Sequence, residues 1–318
     1  MAAINSEIDL SIVVLSWNTK DLTLACLESL FAEEPNFHRE VIVVDNGSKD
    51  GSADAIAERF PEARLFRNEV NQGYSGGNNQ GAREARGQFL CLLNSDTEVR
   101  PGALDRLVAW LRDNPNYGMA APRLVYPDGR VQPACMRYPS LATALIFDSV
   151  LAKFWPGSWV ESRYQMKDFD HLTSRDVQQP PGACCVTATE EYRALGGLDE
   201  DLWLFFNDVD LCRKLTKRSR KIRYVAESEV LHHEGASTKG FADFVVMWHR
   251  NRLHYYRKHF GGWSLPWVRF CVRFRAFEEW VRAGKRNRGN AEGKRAEREH
   301  LKQAVREILA PLDQGASA

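Results

Sequence analysis

Along the first 125 residues, short apolar runs alternate with segments whose apolar positions recur at helical spacing. Residues 10–15, 41–44, 63–66 and 89–93 are the runs, rich in Val, Ile, Leu and Phe. Their length and β-branched content predict buried strands. Between them, Leu22, Ala25, Cys26, Leu27, Leu30 and Phe31 repeat with a helical period, as do Ala53, Ile56, Ala57 and Phe60, with Ser52 as a predicted N-cap. Residues 77–86 read as a third helix. Pro101 is expected to open a fourth, running through Leu111. Continuous apolar strands separated by helices predict an α/β fold, a mostly parallel twisted sheet covered by helices on both faces. In such sheets ligands bind beyond the carboxyl ends of the strands. The polar clusters of this half fall there: Ser16-Trp17-Asn18, Asp45-Asn46-Gly47-Ser48, Asn71-Gln72-Gly73 and Asn94-Ser95-Asp96.

Beyond residue 125 the pattern loosens. Turn signals at Pro127-Asp128-Gly129 and Pro156-Gly157 precede predicted strands at 183–187 and 222–225 and predicted helices at 190–195 and 207–216. From residue 243 the chain reads as helical and basic. We divide it into a catalytic domain, 1–240, with halves 1–125 and 126–240, and a basic amphipathic helical region, 241–318. In that region Trp248, Tyr255, Tyr256, Phe260, Trp263, Trp267, Phe270, Phe274 and Trp280 are interleaved with arginines. Aromatics with Lys and Arg suit an interfacial helix on an anionic membrane. They equally suit an appendage packed on the core or on a second copy, as a homodimer. The sequence leaves both readings open.

Composition narrows the class. The formal net charge of the 318 residues is +1, which gives no global attraction to nucleic acid. Seven cysteines, an odd number with no C-x-x-C pair, read as reduced thiols of a cytoplasmic protein. Residues 1–9 carry two acids and no basic stretch, so no signal peptide is expected. No apolar run is long enough to predict a membrane span. The expected location is cytoplasmic, or peripheral on the cytoplasmic face of the membrane.

Each polar cluster admits a chemical and a structural reading. Asp45 and Asn46 could bond a nucleobase or ribose, or simply build a turn. The run from Asn71 to Gly81, with Gly76, Gly77 and Asn79, could bring backbone close to a ligand at a helix N-terminus. It is neither a P-loop nor a dinucleotide fingerprint. Asp96, after a buried strand, could ligate a hard divalent cation shared with a diphosphate. Asp208 follows the aromatic run Trp203-Leu204-Phe205-Phe206 and could take a proton from an acceptor hydroxyl. Asp210, offset by roughly 200° on a helix, reads as a structural partner. Of His232 and His233, alternate side chains on an extended chain point oppositely, so one metal takes one of them. We favour His232.

Taken together these motifs resemble glycosyltransferase family 2, and within it the bacterial rhamnosyltransferase-like members. The resemblance spans roughly residues 9–261. It rests on Val13-Val14-Leu15-Ser16-Trp17-Asn18, Val43-Val44-Asp45-Asn46-Gly47-Ser48, the run from Asn71 to Gly81, and Leu92-Leu93-Asn94-Ser95-Asp96-Thr97-Glu98. Gly196-Gly197-Leu198-Asp199-Glu200, Asp208-Val209-Asp210-Leu211 and the segment from His232 to Ser237 complete it. The resemblance implies a GT-A (Rossmann-like) fold, a nucleotide-sugar donor, inversion at the anomeric carbon and a divalent cation, Mg2+ or Mn2+. By the same resemblance Trp17 stacks on the nucleobase and Asp45 and Asn46 contact base and ribose. Asn94-Ser95-Asp96 stands at the family's D-x-D motif, Asp208 matches its catalytic base, and His232 its metal-side histidine. Two positions depart from the pattern: Asn94 replaces the first Asp of D-x-D, and Asn207 replaces the Glu beside the base. One fewer acidic neighbour is expected to lower the pKa of Asp208.

The expected activity is transfer of a sugar, with dTDP-rhamnose the favoured donor, to a saccharide or lipid-linked saccharide in cell-surface polysaccharide assembly. The alternatives are a nucleotide-sugar-binding protein without turnover and a nucleotidyltransferase.

Overall fold

The computed structural model describes residues 7–32, 35–147, 149–233, 244–286 and 291–312. The Glu234-Gly235-Ala236-Ser237 part of the histidine motif and the expected boundary at 240 lie outside the described residues. The chain forms two compact units. The first takes residues 1–137, 169–200 and 207–240; the second takes 138–168, 201–206 and 241–318.

In chain order the first unit opens with β1 (Leu10–Ser16), α1 (Lys20–Phe31), β2 (Arg39–Asp45), α2 (Ser52–Arg59), β3 (Arg64–Arg67), α3 (Gly73–Glu84) and β4 (Phe89–Asn94). β5 (Thr97–Val99), α4 (Ala103–Asp113) and β6 (Tyr117–Val125) follow. The chain next builds α5 (Leu141–Ile146) and α6 (Gly157–Tyr164) of the second unit. It returns through β7 (Arg175–Asp176), β8 (Cys184–Ala188), α7 (Thr189–Ala194), α8 (Asn207–Lys217) and β9 (Lys221–His232). The helices α9 (Phe244–Phe260), α10 (Leu265–Arg286) and α11 (Ala291–Leu309) belong to the second unit.

Among the described residues, nine strands form one sheet, ordered β3-β2-β1-β4-β8-β6-β9-β5, with β7 also on β9. The first four strands are parallel, as their apolar runs predict. Past β4 the sheet is mixed: β8 is antiparallel to β4 and β6, and β9 is parallel to β6 but antiparallel to β5. β5 and β6 carry no clear sequence signal. β5 has three residues, and β6 contains Gly118 and Pro122, with an irregularity in its pairing at Pro122/Arg123. Pro101 does not open α4; Gly102, with φ 69°, precedes the helix, which starts at Ala103. All seven cysteines are buried free thiols.

α3 starts at Gly73, earlier than its pattern predicts, and its Gly77 and Gly81 face β1. A Cβ on Gly81 would lie 2.4 Å from Val13 Cγ1, and one on Gly77 would lie 2.3 Å from Leu15 Cδ1. Gly77 and Gly81 thus let α3 approach β1 closely. A cluster at the other end of the strands completes the frame. Buried Glu40 accepts from Ser11 Oγ at 2.6 Å, from Arg86 at 2.7 Å and from Arg64 at 2.9 Å. Burial alone would raise the Glu40 pKa, but these hydrogen bonds outweigh it and hold the carboxyl below its usual range.

In the second unit the aromatics divide between two faces. Tyr255 and Tyr256 of α9 are buried, and Tyr256 Oη donates to the Ser140 carbonyl at 2.6 Å. Trp263 before α10 and Phe270 and Phe277 on it are exposed, at 68%, 50% and 60%. Among the described residues no helix is long and apolar enough to cross a membrane.

The packing of α3 predicts an ordering of two substitutions. Val13 is fully buried and β-branched, so it cannot yield to a new methyl group; Leu15 can rotate its terminal carbon away. Overpacking costs about 1–3 kcal/mol against a helix-propensity gain of roughly 0.5–1 kcal/mol. Gly81→Ala is therefore expected to lower the urea midpoint clearly and Gly77→Ala to lower it less. Equal midpoints for the two variants would contradict this packing.

Candidate active site

The polar clusters collect where the parallel strands end. Ser16 pairs with Asp45 across β1 and β2, and Leu15 pairs with Asn94 across β1 and β4. β1 therefore has β2 on one side and β4 on the other, the switch point at which α/β sheets bind ligands.

On the β2 side, loop is laced to loop. Asn18 N donates to Ser48 Oγ at 2.9 Å, and Lys49 N donates to Asn18 Oδ1 at 2.7 Å. Asp45, 2% exposed, accepts from Ser48 N on Oδ1 at 3.0 Å; its Oδ2 is buried and has no hydrogen-bond partner among the described residues. A buried carboxylate oxygen in that state calls for a donor from outside the protein. Trp17 is half-buried beside this turn.

Asn46 behaves differently. Its Oδ1 accepts from Gln72 N and Asn68 Nδ2, and its Nδ2 donates to Asn71 Oδ1 and the Gly73 carbonyl, all within 3.1 Å. All four hydrogen-bonding positions of the amide are satisfied by protein. Asn71 Oδ1 also accepts from Gly73 N at 2.8 Å, so this pair shapes the turn into α3. Asn79 is likewise consumed. It donates to the Leu198 carbonyl and Glu200 Oε1 and accepts from Tyr192 Oη and Leu198 N, each within 2.9 Å. Asn79 pins α3 to the Gly196-Gly197 turn, and Gly76 sits close over Gln72 Cβ. Ser16 and Ser95 are also buried in protein contacts, with Thr23 Oγ1 at 2.9 Å and Thr19 Oγ1 at 3.0 Å.

On the β4 side Asp96, 3% exposed, lies with its Oδ1 3.5 Å from His232 Nε2. The pairing of Thr97 with His232 across β5 and β9 sets this distance. His232 Nδ1 lies 2.9 Å from Gln132 Oε1, an acceptor, so Nδ1 is the donor of that pair and Nε2 is the ring nitrogen that faces Asp96. His233 faces Glu98 instead, at 2.8 Å, while its backbone N–H donates to the Asp96 carbonyl. A buried carboxylate next to an imidazole held in this orientation fits a divalent cation.

Tyr74 links this corner to the next one. Its Oη donates to Asn94 Oδ1 at 3.0 Å and approaches the Gly182 carbonyl at 3.4 Å. Burial first, then nearby groups including Asp208 and Asp96, push its pKa well above the ordinary phenol value. Gly182 lies against Asp208: a Cβ there would stand 3.1 Å from Asp208 Oδ2. Asp208 Oδ2 accepts from Gln179 Nε2 at 3.1 Å, and Oδ1 accepts from Val209 N at 2.8 Å. Burial raises the Asp208 pKa above the usual carboxylate value, and the bonds from Val209 and Gln179 offset it only in part. Desolvation, and not the amide at 207, sets the direction of this shift. Asn207 Oδ1 accepts from Asp208 N at 2.8 Å. Asp210 is fully buried and pairs with Lys214 at 3.4 Å, a structural role.

Sequence reasoning missed Tyr74, Gln132 and Gln179 as neighbours of these groups. Tyr74 lies inside a recognised motif, but its partner is 20 residues away. Gln132 and Gln179 lie in the irregular middle, where no periodicity singles them out.

Residues 11–155 match the family described as glycosyl transferase family 2. The chain is 30% identical over 258 residues to the N-acetylglucosaminyl-diphospho-decaprenol L-rhamnosyltransferase of Mycobacterium tuberculosis, covering 77% of this chain and 82% of the relative. It is 28% identical over 237 residues to the O-antigen biosynthesis protein RfbC of Myxococcus xanthus, covering 73% of this chain but only 18% of that one. Among solved structures, the mannosyltransferase PcManGT of Pyrobaculum calidifontis, in complex with GDP-Man and Mn2+, aligns with a TM-score of 0.55 at 15% identity. That alignment covers 99% of this chain and 90% of the other, a likeness of fold. The strand-end site, the family match and the relative at 30% identity agree: the chain is a glycosyltransferase of GT-A fold and belongs to glycosyl transferase family 2.

Proposed function

We propose that the chain is a metal-dependent, inverting glycosyltransferase that moves a sugar from a nucleoside diphosphate onto an acceptor hydroxyl. The observation that carries this reading is the chain of contacts Asn94–Tyr74–Gly182–Asp208, with Asp96 two residues beyond Asn94 on the same turn and His232 on Asp96. It joins a cation-suited corner to a buried carboxylate that accepts two hydrogen bonds and is otherwise available as a base.

Asp45 Oδ2 would accept from the base or ribose, and Trp17 would stack on the nucleobase. Asn46, Asn71, Gly76, Gly77 and Asn79 act one step back, holding the turn and helix that frame the donor. Asn94 and Ser95 position the turn that presents Asp96. Asp96 and His232 would hold a divalent cation, Mg2+ or Mn2+; when bound, it neutralises the diphosphate as it leaves. Asp208 takes the acceptor proton while the acceptor oxygen bonds the anomeric carbon and the bond to the diphosphate breaks. Attack opposite the leaving group inverts that carbon and needs no covalent enzyme intermediate. The name of the mycobacterial relative supports rhamnose as the sugar and a lipid-linked saccharide as the acceptor, and that of the Myxococcus relative supports a place in cell-surface polysaccharide assembly; dTDP-rhamnose is the donor that the family resemblance favours.

A donor panel tests the reaction class. Release of nucleoside diphosphate, greatest with dTDP-rhamnose, is expected; release of pyrophosphate would indicate nucleotidyl transfer, and binding without product would indicate a binding protein. For Asp208→Asn we expect kcat to fall roughly 10²-fold or more with donor affinity kept, the usual scale for loss of a general base. Since the raised pKa must be exceeded for the base to ionise, the acid limb of kcat should lie above the ordinary carboxylate value of about 3.9. Gln179→Leu removes a bond to the charged form and should move that limb to still higher pH. An unmoved limb would exclude Asp208 as the titrating base. Gln132 orients His232, so Gln132→Leu should weaken activation by Mn2+ about 10–100-fold and leave kcat at saturating Mn2+ nearly unchanged. An unaltered Mn2+ titration would remove His232 from the proposed ligand set.

A further inference from the structure

Two cavities lie within the second unit. One, of about 380 Å³, is walled by apolar side chains including Leu145, Phe147, Trp248 and Cys271. The other, of about 440 Å³, runs past Val272, Ala276, Leu301 and Ile308. Both volumes suit small-molecule ligands, which occupy roughly 300–1,000 Å³. Val245, His249 and Arg275 line both, so these side chains stand at their junction.

The polar groups there are unevenly matched. Arg275 bonds Glu278 at 2.9 Å and lies 3.2 Å from Glu279. Arg252, which lines the smaller cavity and is 5% exposed, has no such partner: no carboxylate pairs with it among the described residues. Its guanidinium donates to the Ala144 carbonyl and lies 5.4 Å from the centroid of the Trp248 ring. A buried cation is costly unless an anion answers it. Next to it His249, 8% exposed, has its Nδ1 buried and without a hydrogen-bond partner among the described residues. One guanidinium without a carboxylate partner, inside apolar walls, suits a molecule with an anionic oxygen head and an apolar body.

We propose that these joined cavities bind an anionic amphiphile, its carboxylate or phosphate head on Arg252 and its apolar chain between α9, α10 and α11. None of its lining residues belongs to the proposed sugar-transfer site, and it does not depend on the transferase reading. Its walls suit one chain: the larger cavity is lined mainly by Val, Ala, Leu and Ile, with Glu279, Glu297 and Glu307 among its lining residues. These carboxylates disfavour an anion within the larger cavity and leave Arg252 as the place for the head.

Calorimetric titration of the full chain with dodecyl phosphate, dodecanoate, dodecanol, dodecyltrimethylammonium and inorganic phosphate, below micelle formation, tests this. Dodecyl phosphate or dodecanoate should bind, with dodecanol and the ammonium amphiphile weaker by about tenfold or more, the scale of losing a buried charge contact. Inorganic phosphate should bind more weakly than the chain-bearing anions. This head-group series uses the unaltered chain and stands whatever a variant does. Arg252→Leu should weaken the anion about tenfold, and Ala276→Trp, which fills the larger cavity, should weaken every amphiphile, with circular dichroism melts and donor hydrolysis reporting the fold. Equal affinity for dodecanol and dodecyl phosphate, equal affinity for inorganic and dodecyl phosphate, or no binding of either anion would overturn the proposal.

Discussion

β1 is hydrogen-bonded along both edges, to β2 on one side and β4 on the other, in parallel registers that end together. Ile12, Val13 and Val14 are fully buried, so the strand cannot slide without exposing apolar side chains to water and reversing its faces. That lock aligns Ser16 with Asp45 and Leu15 with Asn94, and the polar corners inherit it. α3 is held against the same strand by two glycines, so the Asn71–Gly73 turn at its start is located by close packing as well as by hydrogen bonds.

Around this frame, polar side chains fall into two physical classes. Asn46 and Asn79 satisfy every hydrogen-bonding position within the protein and so fix geometry. Asp45 keeps a buried oxygen with no partner among the described residues, and Asp96 presents its carboxylate to an imidazole whose other nitrogen is engaged. The first class makes the second possible. Without the Asn46 bonds the Asn71–Gly73 turn would have no fixed path beside Asp45. Without Gln132 the His232 ring would have no preferred tautomer.

Asp208 illustrates competition between charge and solvent. It opens a helix and lacks an acidic neighbour at 207, and both favour the ionised form. Removal of water around the carboxylate acts the other way and is the larger effect. The outcome suits a base: a carboxylate with a raised pKa binds a proton more strongly than one free in solution.

By itself the sequence determined the parallel half of the sheet, the order of its strands and helices, and the places where polar groups could meet a ligand. These follow from local apolar runs and from the rule that ligands lie beyond strand ends, so they need no knowledge of distant contacts. It also marked Asp96, Asp208 and His232 individually, and separated Asp210 from Asp208 by helical period. Only the tertiary structure decided which candidates have every hydrogen-bonding position filled within the protein. The amides of Asn46 and Asn79 look alike as letters to that of Asn94, yet their partners sit 22 to 121 residues away. β5 and the bulged β6 were illegible because three residues, or a strand holding glycine and proline, generate no period. Their pairing with β9 nonetheless brings His232 to Asp96. Burial, register and hydrogen-bond partnership are properties of pairs of distant residues, and a linear pattern of single residues carries them only where the pairing itself is periodic.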